Sequence, residues 1–378
     1  MSLLKNLFGK MPDGTHRLWL PVVAVVIASV LMMSCSGGQQ ASHNDVNLPA
    51  AVDSVRHRSI YFWKTTFRIG EEEKTFLERH GIDRIYLRMF DVDVNPDYSR
   101  DRVGVVPVAT ATFESAKPEG IEIVPAVFIT VNALRHFENR EGELAAKIVK
   151  IVLNMCSYND LGPIGEVQFD CDWTKSSKQA YDRLCNAAME ILHKEGILLS
   201  GTIRLHQIEL AEYPFDKGVL MMYNTGAIRN LETDNSILAY GDVKKYLGVK
   251  SRVEKFRAAR KNNCRQVDIS YPTFSWNAVF KKNGAFERIM SPVDLDSSQA
   301  LTKKGNRYIV NEDCEIGNVR FTAGQKIRYE YPDIELIRKV KSLVDKNLGM
   351  ESSNNIIYHL DMANLSKYND DEIDEILR

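Results

Sequence analysis

From Arg58 onward the chain repeats one rhythm: a short apolar strand, a polar turn, then an amphipathic helix. A parallel strand pair needs a long crossover, usually a helix, so this alternation implies βαβ units. The strands read as Ser59–Lys64, Arg84–Phe90, Ile121–Ile129, Gly165–Trp173, Leu198–His206, Gly218–Asn224, Gln266–Pro272 and Asn355–Asp361. Helices are expected near Glu71–His80, Glu141–Cys156, Lys178–Glu195 and Asp370–Leu377, and over Asp242–Lys250 or Val253–Lys261. Eight such units predict an α/β fold, a (β/α)8 TIM barrel. The alternative is a doubly wound open sheet, but no Gly-rich dinucleotide turn follows the first strand. A chain of 378 residues with 44% hydrophobic content can fill such a barrel.

One segment breaks the rhythm. Between Trp276 and Pro332 no helix is evident, and Asn306–Glu330 reads as short strands with Gly305, Gly317 and Gly324 at turns. This predicts a β-rich insertion over residues 277–332, after strand 7. It is either a surface excursion or one wall of a cleft over the catalytic face.

The N-terminus reads as an address. Lys5, Lys10 and Arg17 precede the apolar run Leu18–Met33, followed by Ser34-Cys35-Ser36-Gly37-Gly38. That is a secretory pattern, and the cysteine after the apolar run makes it resemble a bacterial lipoprotein signal with Cys35 as the lipidated residue. The alternative is an uncleaved membrane anchor. The expected organisation is a signal over residues 1–35, a flexible tether over 36–55 and the barrel over 56–378. The folded part is then extracytoplasmic, in the cell envelope and lipid-anchored to a membrane, the outer membrane in a Gram-negative cell. Cys156, Cys171, Cys185, Cys264 and Cys314 remain, an odd number without metal-ligand spacing. One disulfide is possible, and Cys171 falls on an apolar strand face. A net charge of -1 gives no basic footprint for nucleic acid.

Catalytic groups of such barrels sit at the C-terminal strand ends. Those ends carry Trp63 and Lys64, Asp91 and Asp93, Thr130 and Asn132, Asp170 and Asp172. They also carry Arg204, His206 and Gln207, Tyr223 and Asn224, Trp276 and Asn277, and finally His359 and Asp361. The fourth strand is the most telling. Val167, Phe169, Cys171 and Trp173 share one face, and Gln168, Asp170 and Asp172 share the other. Two carboxylates at i and i+2 lie roughly 7 Å apart, so each disfavours ionisation of the other. On the fifth strand Ser200, Thr202, Arg204 and His206 share a face. Arg88 and Asp91 have opposite parity, so both face inward only if the second strand bends between them.

No His-x-His marks the first strand and no Gly-x-Ser-x-Gly elbow is present, so neither a metal site nor a serine nucleophile is expected, and no cofactor is implied. Carboxylates with exposed aromatics suit a glycan cleft, where aromatic faces stack on sugar rings and a neutral carboxylic acid protonates the leaving oxygen. Asp170-Cys171-Asp172, Met222-Tyr223-Asn224 and Trp276 resemble chitinase-type glycoside hydrolases. The arrangement also resembles barrel-shaped bacterial lipoproteins without an assigned activity.

The chitinase resemblance implies Asp172 as general acid, with Asp170 and Tyr223 holding the substrate's acetamido group. Gln168 and Asp172 stand where that family has Asp and Glu, so the acid is one methylene shorter. Trp63, Asp91, Arg204, His206, Asn224, Trp276, His359 and Asp361 are the substrate-binding candidates. Asp170 has a second reading, as a structural partner of Arg204 or Arg88. The expected function is glycan hydrolysis. The alternative is a non-catalytic glycan-binding surface protein.

Overall fold

The structure is a computed structural model describing residues 56–94, 105–210, 212–262, 264 and 266–378. The expected signal and tether, with Cys35, lie outside the described residues. Within them no helix is long and apolar enough to cross a membrane.

Eight parallel strands close a barrel: β1 (Ser59–Phe62), β2 (Arg84–Val94), β3 (Glu122–Ile129), β4 (Glu166–Asp170), β5 (Leu198–Arg204), β6 (Lys217–Met221), β7 (Gln266–Pro272) and β8 (Asn355–Tyr358). They pair in chain order, and Ser59 of β1 lies opposite both Arg84 of β2 and Ile356 of β8, which closes the ring. Each strand begins within one residue of its expected start. Five stop earlier than expected, because the chain turns away at the mouth. A 3-10 turn over Leu205–Leu210 replaces the end of the fifth strand, for example. Asp172, Asn224, His359 and Asp361 therefore lie on loops beyond the strand ends, and His206 lies in that 3-10 turn.

The outer faces of the strands are apolar and pack on the helices; Val167, Phe169, Cys171 and Trp173 are all fully buried there. Helices follow at Glu71–Arg79, Glu141–Tyr158, Lys178–Leu192, Ile334–Leu348 and Asp370–Leu377, and both segments near residue 250 are helical, Tyr240–Leu247 and Lys250–Asn262. Ile334–Leu348 supplies the helix that the β7 unit lacked in the sequence. Asp333 caps its first turn by accepting from the Leu336 N–H at 2.8 Å. Ile337, Val340, Val344 and Leu348 form its buried stripe, each contributing about 1.5–3 kcal/mol on burial. Gly349, at φ 67, ends it in the left-handed conformation that glycine adopts without strain.

The barrel interior is layered. At its lower end Lys217 Nζ meets Glu166 at 2.8 Å and Arg84 meets Glu122 at 2.7 Å. Above them the Tyr61 hydroxyl donates to Gln168 Oε1 at 2.8 Å, and the Tyr61 and Tyr86 rings stack at 4.9 Å. On β2 the register against β3 slips between Arg88 and Phe90. That bulge reverses parity, and Arg88 and Asp91 do meet, with Nε to Oδ1 at 2.9 Å.

The excursion after β7 is a β-rich insertion. Trp276–Phe280, Phe286–Met290, Leu301–Lys304, Arg307–Val310 and Lys326–Glu330 form a five-stranded antiparallel sheet beside a two-stranded hairpin, Cys314–Ile316 with Val319–Phe321. It has its own small core around Val279, Tyr308, Val310, Phe321 and Ile327. Its opposite face carries a fully buried ion pair. Arg328 Nε donates to Glu330 at 2.5 Å, and its other nitrogens donate to the carbonyls of Ile228, Asn230 and Leu231. Glu330 accepts from the Ser236 and Ile237 N–H groups. The insertion is thereby tied to the loop that follows β6. All five cysteines of the described residues are free thiols.

Candidate functional site

At the upper end of β4 the inward face changes from buried to open within two residues. Asp170 is 3% exposed, whereas the Asp172 side chain is 55% exposed. Thr202 Oγ1 donates to Asp170 Oδ1 at 2.6 Å. Arg204 holds both acids, with Nη2 to Asp170 at 3.2 Å and Nε to Asp172 at 2.5 Å. Its guanidinium lies 5.3 Å from the centre of the Tyr223 ring, within cation–π range. One guanidinium is thus divided between two carboxylates.

Burial pushes the Asp170 carboxyl above the usual range; Arg204 and Thr202 pull it back, while Asp172 and Asp91 add to the rise. Burial likewise raises the Tyr223 hydroxyl, which stays a neutral donor. The His359 imidazole is pushed down to about 4, by burial first, with Asp361 opposing and Lys64 assisting. It is neutral at physiological pH.

The mouth opens into a cleft of about 1070 Å³ between the β6, β7 and β8 ends and the insertion. Tyr223, Phe274, Trp276, Tyr329 and Tyr358 line it, with Asp361, His359 and Lys367 beside them. The aromatics form a continuous array: Tyr223 to Tyr358 at 4.5 Å, Tyr223 to Phe274 at 5.9 Å, and Phe274 to Trp276 at 5.3 Å between ring centres. Met290, Asp294, Asp296 and Tyr308 of the insertion complete the far wall. A second lobe of about 440 Å³ holds Asp172, Arg204, His206 and Tyr246. Tyr223 and Asn224 border both lobes and join them. Asn224 turns there with φ 54.

The residues singled out in the sequence therefore divide into three groups. Tyr223, Asn224, Trp276, His359 and Asp361 line the main cleft, while Asp172, Arg204 and His206 line the second lobe. Trp63 and Asp91 border neither. Trp63 packs edge-on against Tyr61 and lies 5.8 Å from Tyr358. Asp91 is occupied by Arg88. Asp361 lies 3.8 Å from Lys64 and accepts from Asn364 at 2.7 Å. Neither Asp91 nor Asp361 is placed in the lobe that holds Asp172.

Sequence reasoning missed Phe274, Tyr329, Tyr358 and Lys367. Tyr358 was legible, because it shares inward parity with Ile356 on β8. Among the described residues no group of three His, Cys, Asp or Glu side chains is placed to hold a metal ion.

No protein-family model matches the chain, and no curated protein matches it in sequence. Solved structures with similar architecture include the C-terminal domain of a putative chitinase from Desulfitobacterium hafniense, 12% identical over 85% of this chain and 99% of that one, TM-score 0.49. A chitinase from Chromobacterium violaceum is 10% identical over 85% and 98%, TM-score 0.47. The spore cortex-lytic enzyme SleL of Bacillus cereus is 14% identical over 80% and 70%, TM-score 0.45.

Proposed function

We propose that the protein captures an oligosaccharide in the cleft at the barrel mouth, with sugar rings lying against Trp276, Phe274 and Tyr358. The continuous aromatic array carries this reading, since pyranose C–H faces pack on aromatic rings while their hydroxyls seek polar neighbours. Asn224, His359, Asp361 and Asn364 supply that polar rim. The lipoprotein-like N-terminus supports an extracytoplasmic site of capture, tethered through Cys35.

Hydrolysis at the same mouth is the second reading, favoured by the buried Asp170 beneath Asp172. In it Asp172 gives its proton to the glycosidic oxygen as the C–O bond breaks. Asp170 and Tyr223 hold the substrate's acetamido group, whose oxygen bonds the anomeric carbon as the leaving sugar departs; water then displaces that oxygen, forms the new C–O bond and returns its proton to Asp172. The Arg204–Asp172 ion pair weighs against it. A proton donor must present an O–H to the leaving oxygen, and here one carboxylate oxygen already accepts from Nε at 2.5 Å. Capture is therefore the better-supported reading.

Calorimetry with tetramers of N-acetylglucosamine, glucose and galactose, beside a reducing-end assay, tests both. Binding that weakens about tenfold or more in Trp276→Ala, without new reducing ends, supports capture. New reducing ends from the wild type that vanish in Asp172→Asn replace capture with hydrolysis. If no oligosaccharide binds, both are wrong.

A further inference from the structure

The cations at the mouth are nearly all paired. Arg204 serves Asp170 and Asp172, Lys303 sits 2.6 Å from Asp296, and Lys64 lies 3.8 Å from Asp361. Lys367 differs. Among the described residues it makes no ion pair, and its Nζ donates instead to Ser275 Oγ at 2.6 Å and Asn364 Oδ1 at 3.0 Å. Both acceptors are neutral and nearly buried, at 8% and 9% exposure. They are fixed to each other, since Ser275 Oγ donates to Asn364 Oδ1 at 2.6 Å. The ammonium also lies 5.6 Å and 5.7 Å from the ring centres of Tyr329 and Tyr331. These contacts orient the cation without cancelling its charge.

An ammonium has three N–H donors. Two are used, and the third belongs to a residue that lines the cleft. The neighbouring acids are engaged: Asp361 with Lys64 and Asn364, Asp296 with Lys303 and the Tyr308 hydroxyl. Asp294, on an exposed loop of the insertion, is the remaining carboxylate of the lining. A positioned ammonium without an ion-pair partner beside the cleft's aromatic rings matches a sugar ring that bears an anion.

We propose that the glycan held in this cleft carries carboxylate groups, as a uronic-acid residue does, and that Lys367 receives one of them. The inference rests on the oligosaccharide reading above and goes further by naming the class of sugar. Matched probes separate the two: cellotetraose with its C6-carboxylated counterpart, and the galactose tetramer with tetragalacturonate. The carboxylated member of at least one pair should bind more tightly to the wild type, and the preference should shrink at high salt. Lys367→Gln should weaken that member roughly fivefold more than the neutral member, whereas Lys367→Arg should retain the preference. Equal affinity within both pairs, tighter binding of the neutral member, or an equal loss of both members in Lys367→Gln overturns the inference and leaves sugar capture standing. Failure of all four probes to bind overturns the inference, and sugar capture falls with it when the N-acetylglucosamine tetramer also fails to bind.

Discussion

Glu166 and Asp170 stand at opposite ends of β4, on the same inward face, both buried and both beside a cation, yet their carboxyls shift in opposite directions. Burial raises each. At Glu166 it is outweighed by Lys217 and Arg84, with hydrogen bonds from Lys217 and Ser200, and the net shift is downward. At Asp170 the single Arg204 is shared with Asp172, and the net shift is upward. Glu166 is thus flanked by two cations of its own and reads as architecture. Asp170 has only a share of one cation, which leaves a buried carboxyl that can take up a proton.

The sharpest way to break this contrast is Lys217→Met. It strips a buried carboxylate of its nearest cation and should cost about 3–5 kcal/mol in urea unfolding. Arg204→Gln should cost less, about 1–3 kcal/mol, because Asp170 can answer by protonating. Equal losses would show that the two ends are alike.

Proton linkage gives a second comparison, with opposite signs. The Glu166 value is depressed on folding, so its contribution is present above the unfolded pKa of about 4.3 and is lost as pH falls through the folded value. The Asp170 value is raised, so its contribution is present below about 3.9 and is lost as pH rises through the folded value. Between about pH 3 and 7, the stability advantage of wild type over Glu166→Gln should grow with pH. Its advantage over Asp170→Asn should shrink. Parallel profiles would contradict the assignment. The smallest effect belongs to Asp172→Asn, within about 1 kcal/mol of wild type, because its ion pair is half exposed.

Much of this was legible in the sequence, for reasons of periodicity. Strict alternation on β4 and β5 placed Asp170 and Arg204 on one inward face, and they do meet. The parity conflict of Arg88 and Asp91 required a bend, and the register slip supplies it. What stayed hidden depends on pairs far apart in the chain. Lys217 escaped notice because the sixth strand seemed to begin at Gly218, although Lys217 shares parity with Val219 and Met221. The grouping of Ser275, Asn364 and Lys367 is invisible until β7 and β8 lie side by side. Asp172 looked inward by alternation, but the strand ends before it, so alternation no longer governs its exposure.

The ion pair between Arg328 and Glu330 has a consequence for engineering. Excising the insertion as a cassette would strip the carbonyls of Ile228 and Leu231 and the amide of Ser236 of the side-chain partners they have on that one strand, and would leave Asn230 and Ile237 with only their local bonds to Thr233 and Asn235. Barrel and insertion are therefore not interchangeable parts. A chimera that swaps one for a relative's must carry the β6 loop across with it, or supply new partners for the backbone left behind.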